Sequence, residues 1–63
     1  MGYQASIKNV TRGTWLLKEN YGLVKHTKKA DKRLIFFDEC DAESVLAMLE
    51  DCSSDCYVLC EEV

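Results

Sequence analysis

Apolar and polar positions alternate from Tyr3 to Val10, with Tyr3, Ala5 and Ile7 on one side and Gln4, Ser6 and Lys8 on the other. A period of two is the pattern of a β-strand with one wet face. Thr11-Arg12-Gly13 reads as the turn that follows, because Gly13 is free to take a positive φ. Thr14 to Lys18 resumes as a strand carrying Trp15, Leu16 and Leu17. Lys18-Glu19-Asn20 breaks it before Tyr21-Gly22-Leu23-Val24, where Asn20 suits a tight reversal. Lys25 to Arg33 reads as a basic hairpin tip feeding Leu34-Ile35-Phe36-Phe37. That last run is apolar on both faces, which suits a central strand better than an edge.

Past Asp38 the period lengthens. Asp41 is a good N-cap, and Glu43 would stand in the first turn, where the helix dipole favours an anion. Val45, Met48, Leu49 and Cys52 fall on one helical stripe, so a helix is expected near 41–52. Ser53-Ser54-Asp55 ends it, and Cys56 to Cys60 reads as a last strand. The fold class expected is β-rich α+β. It is a small, strongly curled antiparallel sheet, OB/cold-shock-like or a β-meander, with one α-helix packed through Val45, Met48 and Leu49 before the last strand.

The chain has 63 residues, which is room for a single domain, 1–63, with no roomy catalytic cleft. A homodimer is one way for so small a domain to hide more surface. Charge is segregated along the sequence. Residues 1–37 hold all eight Lys and Arg against Glu19 and Asp31, a sum of +6, whereas residues 38–63 hold nine acids and no base. Lys25, Lys28, Lys29, Lys32 and Arg33 crowd together with His26 in nine residues. Such a cluster is the footprint of phosphate binding or of docking on an acidic protein, although a solvated turn has the same composition.

Little points to chemistry. His26 is the only histidine and has no base partner near it in sequence; no Gly-rich phosphate loop or nucleophile elbow is present, so an enzyme is not expected. The cysteines at 40, 52, 56 and 60 lack the paired short spacings of a zinc site. A set of Cys40, Cys52, Cys56 and His26 is the one combination left open. Buried thiols acting as small apolar groups are the reading preferred, with no metal and no cofactor. No signal peptide and no bilayer-length apolar run is seen, and four thiols suit a cytoplasmic setting.

Three runs resemble a cold-shock domain: Leu17-Lys18-Glu19-Asn20-Tyr21-Gly22-Leu23-Val24, Leu34-Ile35-Phe36-Phe37 and, further on, Tyr57-Val58-Leu59. Leu23 stands in place of the family's second aromatic, and Asp38 in place of the histidine after its second motif. The resemblance implies a small OB-type barrel whose aromatic side chains stack on bases of single-stranded RNA or DNA. Tyr21, Phe36 and Phe37, with Trp15, would then be the stacking platform, and Lys25, Lys28, Lys29, Lys32 and Arg33 would meet phosphates. The same aromatics are also readable as core, which is what apolar strands of this kind more often form.

The competing expectation uses the acidic pole. Glu43, Glu50, Asp51, Asp55, Glu61 and Glu62 would let the helix and tail occupy a basic groove on a protein partner, in the manner of small acidic phage inhibitors. An exposed sheet edge offers a second way to hold such a partner. Either way the expected role is binding, to single-stranded nucleic acid or to a protein, and not to a membrane.

Overall fold

In a computed structural model, which describes residues 2–20 and 23–62, the first long alternation becomes the centre of the sheet. Strand β1 (Ala5–Asn9) pairs antiparallel with β2 (Thr14–Asn20) on one side and with β4 (Tyr57–Glu61) on the other. Strand β3 (Leu23–Thr27) adds to the far side of β2, giving the order β3-β2-β1-β4. Gly13 takes φ 68° in the β1–β2 turn, as a residue without a Cβ can do at little cost. Helix α1 (Glu39–Cys52) lies between β3 and β4 in the chain. It packs on the face where Ile7, Leu16, Leu49 and Tyr57 form the core. The molecule is thus a small α+β fold with an open four-stranded antiparallel sheet and its helix before the last strand.

Several expectations are corrected. The sheet is neither closed nor strongly curled, because the end strands β3 and β4 stay apart and α1 fills the face that a barrel would wrap around. Leu34 to Phe37 is not a strand. Leu34 N–H donates to Leu16 C=O (2.8 Å), and Phe36 exchanges two backbone bonds with Ala5 (2.7 and 3.0 Å). The segment therefore bridges β2 and β1 where their own pairing stops after two residue pairs. A run apolar on both sides does sit between strands, but as a short wedge.

Nor is Lys25 to Arg33 a hairpin tip. Lys25, His26 and Thr27 belong to β3, which begins at Leu23, and Ala30–Lys32 forms one 3-10 turn. The expected break at Lys18-Glu19-Asn20 is absent, since β2 runs through Asn20 and absorbs a register shift between Leu16 and Lys18. The helix begins earlier than Asp41. Asp38 is the N-cap and its carboxylate accepts from Cys40 N–H at 2.8 Å, leaving Glu39 and Asp41 in the first turn.

Two burial expectations also change. Alternation puts Ser6 on a wet face, yet it is fully buried and its hydroxyl donates to the Glu62 carboxylate. The cysteines are not core thiols: Cys40, Cys52 and Cys56 are exposed and Cys60 is half-buried. Cys40 and Cys52 sit at the two ends of α1, and Cys56 and Cys60 lie in or beside the edge strand β4, whose outer face no helix covers. No helix of the described residues is long and apolar enough to cross a membrane.

Candidate nucleic-acid interface

Register and pleat sort the side chains onto two faces. Ile7, Leu16, His26, Val24, Tyr57 and Leu59 turn toward α1, and Tyr57 stacks on His26 with ring centroids 5.9 Å apart. The opposite, helix-free face carries Lys8 beside Trp15, then Thr27 across from Trp15, and beyond the register shift Lys18, Asn20, Leu23 and Lys25. The last four line a shallow cleft.

Trp15 is the aromatic centre of this face and is half-buried. Lys8 Nζ lies 5.3 Å and Arg33 Cζ 5.6 Å from its ring centroid, both within cation–π range. Arg33 is the last residue of the lysine-bearing connection, so its place over Trp15 brings that connection to the same face. Lys25, Lys28, Lys29 and Lys32 are exposed, and Lys28, Lys29 and Lys32 form no ion pair with another described residue.

Arg33 differs. Its guanidinium grips Glu62 with two hydrogen bonds, Nη2 to Oε1 at 2.6 Å and Nε to Oε2 at 3.0 Å, while Ser6 donates to the same carboxylate. The Arg33 pair, helped by the Ser6 hydroxyl, holds Glu62 down to about 2, and Arg33 is raised in turn. A second tie is built at the other end of β1. Buried Asn9 donates to Asp55 (3.0 Å), Arg12 Nε donates to the same carboxylate (2.9 Å), and Asp55 is lowered by the Asn9 bond first and by Arg12 after it. The two arginines are thus spent on the acidic third of the chain and the lysines are not.

A pH dependence follows from Glu62. A carboxyl with a depressed folded value adds stability that is whole above its unfolded value near 4.5 and is lost as pH falls toward about 2. Urea midpoints of the wild-type chain should therefore drop across that window more than those of Glu62→Gln. Parallel curves would show that the Arg33–Glu62 pair is not formed in solution.

The nominated residues end in different places. Phe36 is half-buried and packs against the core beside Ala5, whereas Phe37, next along, is 71% exposed. Of these two, Phe37 is the ring open to solvent, and alternation along the wedge is the signal that separates them. Tyr21 lies outside the described residues. Of the acids, Glu43, Glu50, Asp51 and Glu61 are exposed, while Asp55 and Glu62 are engaged internally. Sequence reasoning missed Lys8 and Lys18, which stand on the Trp15 face.

Among the described residues, no group of three His, Cys, Asp or Glu side chains is placed to hold a metal ion. The groove lined by Val24, Met48, Leu49, Cys52 and Tyr57 measures ≈ 230 Å³, below the roughly 300 Å³ at which small-molecule sites begin. Compared with protein-family models, with curated proteins and with solved structures, the chain has no match.

Proposed function

We propose that this protein is a non-enzymatic binding module for single-stranded nucleic acid, working in the cytoplasm through the helix-free face of its sheet. One observation carries the reading: an aromatic ring with two cations over it, on the face that Lys18 and Lys25 share and to which the Lys28–Lys32 connection is brought. Single-stranded nucleic acid is bound by such a combination, cations tracking the phosphates and aromatic faces or edges meeting bases. The cleft between Lys18 and Lys25 suits a backbone phosphate, and exposed Phe37 is available for stacking. The expected kinship with cold-shock modules narrows to this chemistry, basic strands with aromatics, on an open sheet.

Opposite charge on the other side of the molecule supports the division of labour. Glu43, Glu50 and Asp51 are exposed on α1, away from the Trp15 face, so they repel nucleic acid from the wrong side and favour one orientation of approach. The same exposed acids favour a second reading, in which α1 presents them to a basic groove on a protein.

Titration of the chain with a short single-stranded oligonucleotide at low salt, followed by Trp15 fluorescence, decides between them. A saturable change reversed by added salt is expected. An unchanged signal, together with unchanged oligonucleotide mobility, would remove the nucleic-acid reading and leave the acidic helix as the binding element.

A further inference from the structure

The two edges of the sheet are unequal. In β3, Lys25 is the middle residue, so antiparallel pairing of that edge with itself would set Lys25 against Lys25 of the second copy. Like charges directly opposite are unfavourable, and lysine is a common guard of free edges. Strand β4, Tyr57-Val58-Leu59-Cys60-Glu61, has no Lys, Pro or Gly and keeps an unbroken register with β1 over five residue pairs.

Backbone geometry shows which groups β4 leaves over. Val10 N–H donates to Cys56 C=O and Glu62 N–H to Gln4 C=O, so residues 56, 58, 60 and 62 point their backbone groups at β1. In an antiparallel ladder the alternate residues point the other way. The N–H and C=O groups of Tyr57, Leu59 and Glu61 therefore face the open edge, with no partner among the described residues.

We infer that a second copy of this chain covers that edge, β4 against β4 in antiparallel register about Leu59. In this register Leu59 exchanges two bonds with its counterpart and Tyr57 does so with Glu61, and no like charges meet. Val58 falls opposite the partner's Cys60 on the helix-free face. Val58 is 40% exposed there, so pairing covers apolar surface that water now touches. The two-fold axis stands perpendicular to the sheet. It therefore sets both helices on one side of an eight-stranded sheet and both Trp15 faces on the other. This inference holds whether or not the ligand of the Trp15 face is nucleic acid.

The register makes a sharp test. In a chain with Cys40, Cys52 and Cys56 changed to Ser, Val58→Cys creates a thiol opposite the partner's Cys60 at a non-hydrogen-bonded pair. Cα atoms are about 4.5 Å apart at such a site, within disulfide range. Within one strand the two thiols are about 6.6 Å apart and parallel, too far to join. Mild oxidation should yield a reducible covalent dimer whose cross-link maps to residues 58 and 60, and the same chain with Val58 retained should yield far less. Sedimentation of the unmodified chain at tens of micromolar should give twice the 7.2 kDa mass, and Val58→Lys, an exposed change, should shift it to monomer. A monomer at that concentration, or a dimer that does not form the 58–60 cross-link, overturns the inference.

Discussion

Leu16→Ala is expected to leave much of the population unfolded at room temperature. Leu16 and Ile7 are the largest side chains that are wholly buried, and Leu16 sits where β2, β3 and the wedge meet. Removing a buried leucine to Cβ costs about 2–5 kcal/mol, the upper part where neighbours cannot collapse into the space. Here Ile7 is held in the central strand and Leu34 is tied to the Leu16 carbonyl, so collapse is restricted. A domain of this length has about 3–9 kcal/mol in all. Loss and total are thus comparable. Urea melts followed by circular dichroism should show a shortened or missing folded baseline for Leu16→Ala, while Leu23→Ala, at an exposed position on β3, should melt within about 0.5 kcal/mol of wild type. Equal midpoints for the two variants would mean that the core does not lie between β1, β2 and α1.

Why Leu16 and not Leu17 carries this weight bears on how far the sequence alone could be read. Strand β1, the Gly13 turn, a helix near 41–52 and a last strand near 56–60 are all legible to within a few residues, because each rests on a local rule: alternation, positive φ, a helical stripe, and a short β-rich run. The register shift after Leu16 is not a local property. Leu16, paired before it, stays inward, while the shift leaves Leu17 as the extra residue and sends Lys18 to the outer face, a side that alternation alone does not assign to it. Phe36 and Phe37 pose the same difficulty. Both are apolar, and only the two bonds to Ala5 decide that Phe36 turns to the core. Burial of Ser6 was equally hidden, since its partner Glu62 is 56 residues away in the chain.

The candidate site shows the same limit from the side of charge. Segregation along the chain was legible, but which cations stay free was not, because that depends on contacts between distant residues. Arg12 and Arg33 both reach carboxylates of the terminal third, and each geometry uses an Nε donor that lysine lacks. Lys28, Lys29 and Lys32, on a short connection after β3, reach no described carboxylate. A lysine-rich loop folded fully onto the acidic third would have removed any reason to expect phosphate binding. Among its described cations, Arg33 is the one that reaches a carboxylate of that third.

Replacing Lys28, Lys29 and Lys32 by Ala together should cost about a hundredfold in oligonucleotide affinity near 0.1 M salt, if those three side chains each neutralise one phosphate. Each contact to a single strand contributes roughly 0.7 to the slope of log affinity against log salt, which is about 0.7 decade per contact at 0.1 M relative to 1 M. The triple variant should therefore show a slope shallower by about 2, and its curve should converge with that of wild type as salt approaches 1 M. Convergence is the discriminating feature, since a variant weakened by misfolding would bind less at every salt concentration. All three residues are exposed and none pairs with a described carboxylate, so the fold should survive the change. Neutralising Glu43, Glu50 and Asp51 as Gln provides the opposite arm. Acids on the far side of the molecule repel the strand weakly through solvent, so their loss should leave affinity unchanged or slightly raised. If the lysine variant keeps the wild-type slope, phosphates are not what this loop meets; if the Gln variant loses a protein partner, the acidic helix is the working surface.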